Sequence, residues 1–147
     1  MNNPFLKGFP LEKPDIILEW GKPLNELAKD TGGIWFGDRY SWNSVTYLQG
    51  LEYPLYSDNG IAKDESFKSI TAYIGLNPEG LWEDKLSLSG FDKVSEHLIK
   101  IFGKPSEIET ENELNEKSQS WGVGNIYLHL SVIEQHVFRC YLTTSLK

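Results

Sequence analysis

The sequences GFDKVSEHLIKIFGKP (residues 90–105) and NIYLHLSVIEQHVFRCYL (residues 125–142) decide the fold, because they carry two different hydrophobic periodicities. In 91–102 the apolar residues recur at steps of three and four, which predicts a helix with one buried face. The helix is expected to end at Gly103, since glycine accepts a left-handed backbone and Pro105 cannot continue the helix. From 126 to 132 apolar and polar residues alternate, which predicts a strand.

The end of this segment predicts a hairpin. Glu134 and Gln135 allow the chain to reverse, and 137–142 are rich in residues that favour strands. The interval before the hairpin, 107–117, is crowded with carboxylates and follows a helix end, so we expect it to be a solvated acidic loop.

The rest of the chain gives weaker signals. We expect an extended arm over 1–13, a short helix over 14–20 and further helical turns over 24–30. Alternation predicts a strand over 70–76, and 81–90 is expected to be irregular or a short strand. Further features are a strand over 45–51 and turns at 57–60 and 77–80.

Two similar motifs suggest an internal repeat. Trp20-Gly21-Lys22-Pro23 matches Phe102-Gly103-Lys104-Pro105, and a tryptophan and strands follow each. Helix ends of the Gly-x-Pro type are common, so the match is either chance or a true repeat. The fold expected is α+β: an antiparallel sheet with two or three short helices, in two pseudo-repeated helix-then-sheet halves if the repeat is real. No low-complexity linker divides the chain, so we expect one domain over residues 1–147.

Composition limits the classes of partner. The 147-residue chain has a formal net charge of −7, which repels nucleic acid and anionic membranes and attracts basic proteins; solubility alone also explains such a charge. The single cysteine excludes an intrachain disulfide, and no apolar run is long enough for a signal peptide or a membrane span. We expect a cytoplasmic protein.

Catalytic and metal-binding patterns are weak. His129 and His136 match no metal template, so we expect no metal and no cofactor. A nucleophile and base from Ser131, His129 and Glu134 would lack an oxyanion loop. We therefore expect a protein that is not an enzyme.

Two acidic clusters favour recognition of a basic partner. The first follows the predicted helix end, and the second surrounds an aromatic residue that is suited to anchor an interface. The alternatives are a flexible acidic loop for the first and a tryptophan buried under a turn for the second. The candidate residues are Glu107, Glu109, Glu111 and Glu113 in the first cluster, and Glu79, Trp82, Glu83 and Asp84 with Asp58 in the second.

This arrangement resembles the small immunity proteins that bacteria pair with polymorphic or contact-dependent growth-inhibition toxins. The resemblance lies in Leu-Ile-Lys-Ile-Phe-Gly-Lys-Pro (residues 98–105), in Trp121 at the start of a strand, and in the acidic balance. It implies a non-enzymatic antidote that covers the active site of one cognate toxin, a nuclease with a basic cleft. The candidate residues above would bind that toxin.

Two other functions fit the same sequence. An acidic α+β body would also serve as a secretion or assembly chaperone for a larger effector. A small ligand-binding module or enzyme would use an aromatic pocket made from Trp35, Trp42, Tyr47 and Tyr73, provided that these rings line an open cavity.

Overall fold

The chain, as a computed structural model, is described over residues 3–57, 65–111 and 116–147. Within these residues it is an α+β protein with antiparallel pairing, as the sequence predicts, and it has two helices where two or three were expected. In chain order the elements are β1 Gly8–Lys13, β2 Ile16–Glu19, α1 Leu24–Thr31, β3 Ile34–Phe36, β4 Arg39–Trp42, β5 Thr46–Tyr47, β6 Leu55–Tyr56, β7 Ser69–Ile74, α2 Asp84–Phe102, β8 Glu107–Glu111, β9 Glu116–Val123, β10 Ile126–Gln135 and β11 Val137–Leu146.

The chain divides into two compact units. Unit 1 comprises Met1–Ala72, Gly124–Ile126 and Thr144–Lys147, and unit 2 comprises Tyr73–Val123 and Tyr127–Thr143. The expectation of one domain stays a prediction. No helix in the described part of the chain is long and apolar enough to cross a membrane.

Unit 1 contains a small sheet with the strand order β2-β1-β5 and a second antiparallel run, β3-β4-β6-β7. Its core is aromatic and aliphatic, and Phe9, Trp42 and Tyr47 are almost completely buried. Helix α1 confirms the turns expected over 24–30, and Gly32 ends it with φ 82°.

The helix expected over 14–20 is wrong, because this segment forms β2. Leu11 pairs with Ile16 and Phe9 with Leu18, so Pro14 and Asp15 make the turn of a hairpin instead of opening a helix. The strand expected over 45–51 is shorter than predicted, and β5 covers only Thr46–Tyr47.

Unit 2 contains the strand order β7-β11-β10-β9-β8, with α2 packed on one face. Strands β7, β10 and β11 confirm the three strands predicted near these positions, and α2 contains the predicted helix over 91–102. The expectation for 81–90 is wrong, since α2 begins at Asp84.

The acidic loop expected over 107–117 is also wrong for 107–111 and 116–117, and 112–115 lie outside the described residues. Residues 107–111 form β8, which pairs with β9 from Glu107 opposite Ser120 to Glu111 opposite Glu116. The pseudo-repeat is not confirmed. The first Gly-Lys-Pro motif leads into helix α1, whereas strand β8 follows the second.

Small residues set the distance between α2 and its sheet. The Ser87 hydroxyl donates to the Phe138 carbonyl at 2.7 Å. A methyl group added at Gly90 would lie 2.5 Å from Cγ2 of Ile74, which is itself completely buried. Helix and strand therefore approach so closely that position 90 has no room for a side chain.

We expect Gly90→Ala to destabilise the protein by about 1–3 kcal/mol through overpacking, although alanine favours a helix over glycine by about 1 kcal/mol. Urea unfolding would measure the effect. In an Ile74→Ala background, where the opposing methyl is gone, the same change should cost less or become stabilising. A simple gain in stability in the wild-type background would contradict this packing.

The thiol of Cys140 should make stability depend on alkaline pH. Burial raises its pKa to about 12, whereas an exposed thiol has a pKa of about 8.5. Above about pH 9 the unfolded chain therefore loses this proton while the folded chain keeps it, and stability falls as the pH rises. We expect the wild type to lose between about 1 and 2 kcal/mol more than Cys140→Ala between pH 8 and 10 in urea titrations. Parallel curves for the two proteins would contradict this expectation.

Candidate protein-binding face

One face of the unit 2 sheet is covered by α2, and no helix or strand of unit 2 among the described residues covers the other. On the covered face Ser95 donates to Gln119 at 2.6 Å, and Lys117 lies 3.3 Å from Asp92. Side chains alternate along a strand, so the neighbours of these residues project to the opposite side. We call this opposite side the open face. It carries Tyr73, Glu107, Glu109, Glu116, Ser118, Ser120, Tyr127, His129, Ser131, Arg139 and Tyr141.

The β8–β9 end of the open face is acidic. Glu107 and Glu109 are exposed, and their register partners on β9 are Ser120 and Ser118. Among the described residues of the open face, Arg139 is the one lysine or arginine, and it lies at the other end. The carboxylates at this end therefore have no lysine or arginine beside them on the same face.

A groove of about 380 Å³ runs beside these carboxylates. Its lining includes Glu109, Glu116, Lys117, Ser118 and His129. The Glu116 carboxylate accepts a hydrogen bond from the backbone N–H of Glu134 at 2.9 Å, which fixes its position. The groove is thus polar and open to solvent, and two carboxylates and one lysine are among its lining residues.

His129 pairs with a serine that the sequence does not single out. Its Nδ1 lies 2.8 Å from Oγ of Ser120, and both residues are on the open face. The hydrolase-like set considered from the sequence used Ser131 and Glu134 instead. Ser120 lies within β9, and its backbone takes part in the hydrogen bonding of the sheet, because its carbonyl accepts from the Ser106 N–H. The pair therefore presents a hydroxyl and an imidazole together on the open face.

The other end of the open face is an aromatic cluster. The rings of Tyr73, Trp82 and Tyr141 lie 5.3 Å apart, centroid to centroid, in each of the three pairs. The Arg139 guanidinium lies 5.8 Å from the Trp82 ring, and its buried Nε has no hydrogen-bond partner among the described residues. Trp82 is half-buried in this cluster.

The turn that carries Trp82 also positions two predicted acidic residues. The Asn77 side chain accepts from the N–H groups of Glu79 and Leu81, which holds the turn. Glu79 and Glu83 are exposed, whereas the Asp84 carboxylate accepts from the Phe138 N–H at 2.8 Å. Asp84 thus has a structural role at the start of α2.

The structure separates the two predicted clusters. The aromatic cluster lies on β7 and β11, and Glu107 and Glu109 lie on β8, up to four strand spacings or about 19 Å away. Asp58 and Glu113 lie outside the described residues. Glu111 is the last residue of β8.

The rings of the predicted aromatic pocket have other roles. Trp42 and Tyr47 fill the core of unit 1, so neither is available to line an open cavity. Trp35 packs edge-on against Tyr40, and Tyr73 belongs to the cluster in unit 2.

Models of protein families, curated proteins and solved structures give no match to this chain. Within residues 3–57, 65–111 and 116–147 no group of histidine, cysteine and acidic side chains is arranged to hold a metal ion.

We expect Trp82→Ala to lower the free energy of unfolding by about 3 kcal/mol, because the indole packs against the rings of Tyr73 and Tyr141. Leu81→Ala is the matched control: Leu81 is the adjacent residue and is 60% exposed, so its loss should cost less than about 0.5 kcal/mol. Thermal or urea unfolding measures both. Equal effects would show that Trp82 contributes no more to the fold than an exposed neighbour.

Proposed function

We propose that this chain is an immunity protein that binds a cognate bacterial toxin in the cytoplasm and neutralises it by covering its active site. The observation that carries the proposal is the acidic end of the open face, where Glu107, Glu109 and Glu116 lie on adjacent strands. In this proposal the chain has no catalytic activity, no cofactor and no nucleic-acid or membrane partner.

The spacing of these carboxylates suits a nuclease toxin. Glu107 and Glu109 project from the same face of one strand, about 7 Å apart. A nuclease cleft is lined with lysine and arginine because it holds phosphates. A row of carboxylates on a rigid sheet can occupy such a cleft, and it steers the two proteins together before contact.

Lys117 also lines the groove, but its ammonium is already paired with another carboxylate. Lys117 projects to the covered face, where it contacts the Asp92 carboxylate and lies 4.7 Å from the Phe91 ring. The acidic end therefore presents its charge outward.

The second predicted cluster fits within the same interface. A standard interface covers about 800 Å² on each partner, and a patch of that area is about 30 Å across. It would span the acidic end and the aromatic cluster, with Trp82 as an anchor and Glu79 and Glu83 at the rim. Asp84 would contribute less, since its carboxylate already accepts the Phe138 N–H.

Growth protection tests the proposal. The full chain is expressed in a bacterium together with the C-terminal domain encoded by the gene directly upstream of its own. We expect that domain to be toxic alone and harmless with the chain present. A harmless domain, or one that kills despite the chain, would overturn the proposal, and a purified complex in which the toxin still cuts its substrate would favour a chaperone.

Charge reversal identifies the steering residues. We expect Glu107→Lys/Glu109→Lys to slow association with the toxin domain by about tenfold at low salt, because steering by a focused charge patch changes the association rate by this order. Glu79→Lys/Glu83→Lys makes the same change in net charge at the other end of the open face and should have a smaller effect. Stopped-flow association at two salt concentrations provides the comparison. If the two double variants associate at the same rate, the net charge of the chain sets the association rate and the position of the charges on β8 does not.

A further inference from the structure

Strand β8 is the last strand of its sheet among the described strands. Its inner side pairs with β9 over five residues. The outer side of such a strand presents unpaired N–H and C=O groups, which can accept a strand from another protein.

The register shows which residues present these groups. The Ser120 carbonyl accepts from the Ser106 N–H at 2.7 Å, so the backbone of Ser120 faces β8. The backbone N–H and C=O of its register partner, Glu107, therefore point toward β9. Along an antiparallel strand these groups point alternately toward one neighbouring strand and away from it. The backbone groups of Ile108 and Thr110 consequently point outward.

The side chains of β8 divide between the two faces of the sheet. Glu107 and Glu109 project to the open face, as described above. Ile108 projects to the other face, because it lies opposite Gln119, which bonds to α2. Ile108 is nevertheless 64% exposed. An added strand would meet carboxylates on one face and an uncovered isoleucine on the other.

A second copy of the chain is a poor occupant of this edge. Antiparallel pairing of two β8 strands would place glutamates opposite glutamates, and like charges directly opposite each other destabilise a sheet. Lysine or arginine alternating with apolar residues would instead pair with Glu107 and Glu109 and cover Ile108.

We infer that the outer edge of β8 binds an extended segment of a partner protein, about five residues long, in which basic and apolar residues alternate. The segment adds to β8 as a new strand and makes up to four main-chain hydrogen bonds with Ile108 and Thr110. This inference rests on the proposed function, because it names the part of the toxin that the chain would hold.

A synthetic peptide tests the docking edge directly. The probe is acetyl-Lys-Val-Lys-Val-Lys-Val-Lys-amide, titrated into the ¹⁵N-labelled full chain and followed by NMR. We expect the amide signals of β8 to shift, and the peptide with Glu in place of Lys not to shift them. N-methylation of two alternate residues blocks one edge of the peptide. Methylation on one edge should abolish binding and methylation on the other edge should leave it unchanged. Equal binding by both methylated peptides would overturn strand addition.

A backbone variant gives a second test. Thr110→Pro removes one outward N–H, and proline is tolerated at such edge positions. Thr110→Ala, which keeps the N–H, is the matched control. Thr110→Pro should weaken peptide binding at least tenfold relative to Thr110→Ala, and equal affinities would overturn the inference. If Thr110→Pro does not fold, the methylated peptides still decide it.

Growth protection separates this inference from the proposed function. If Thr110→Pro protects as well as the wild type and the wild type binds no peptide, the proposed immunity function stands and the docking edge is ruled out. Peptide binding by a chain that protects against no toxin would do the reverse.

Discussion

The close contact between α2 and its sheet is the constraint on which unit 2 depends. Gly90 lies against Ile74 without space for a methyl group, and Ser87 hydrogen-bonds to the backbone of β11. These small residues bring the helix near enough to bury one face of the sheet, including Leu128, Leu130 and Val132. Because helix α2 lies on that face, the residues of the open face are polar and aromatic.

The open face therefore follows from one-sided packing. Strand alternation places carboxylates at the β8 end and aromatic rings at the β7–β11 end. The aromatic end is also part of the folded structure, since Trp82 joins a turn to two strands. The acidic end has few such contacts. Glu107 and Glu109 are exposed, and Glu116 is half-buried and accepts a hydrogen bond from the backbone N–H of Glu134.

Periodicity predicted the elements in which buried and exposed residues differ in polarity. The helix over 91–102, β10 and β11 belong to this group. The first half of α2 was missed because its buried positions include Ser87 and Gly90, whose small size suits close packing but gives no apolar period. Strand β2 was missed because Pro14 is equally suited to open a helix or a turn.

Site predictions failed where they required long-range pairing. The high proportion of glutamate in 107–111 suggested a loop. The pairing of this segment with β9 shows that it is a strand, in which the alternating glutamates project from one face. The Ser120–His129 contact depends on the arrangement of β9 beside β10, nine residues apart along the chain. An alternation count over 107–111 would have indicated β8, but no local signal gives its partner strand.

The alternation of buried and open-face side chains along β10 and β11 also divides the positions into two groups, which tolerate substitution to different degrees. Substitutions at Leu128, Leu130 and Cys140 must satisfy the packing against α2, whereas Tyr127, His129 and Ser131 meet no such demand from unit 2's helix. Mutations at the second set can accumulate without refolding the scaffold. One backbone can thus change the chemistry of its open face at these three positions while its core stays the same.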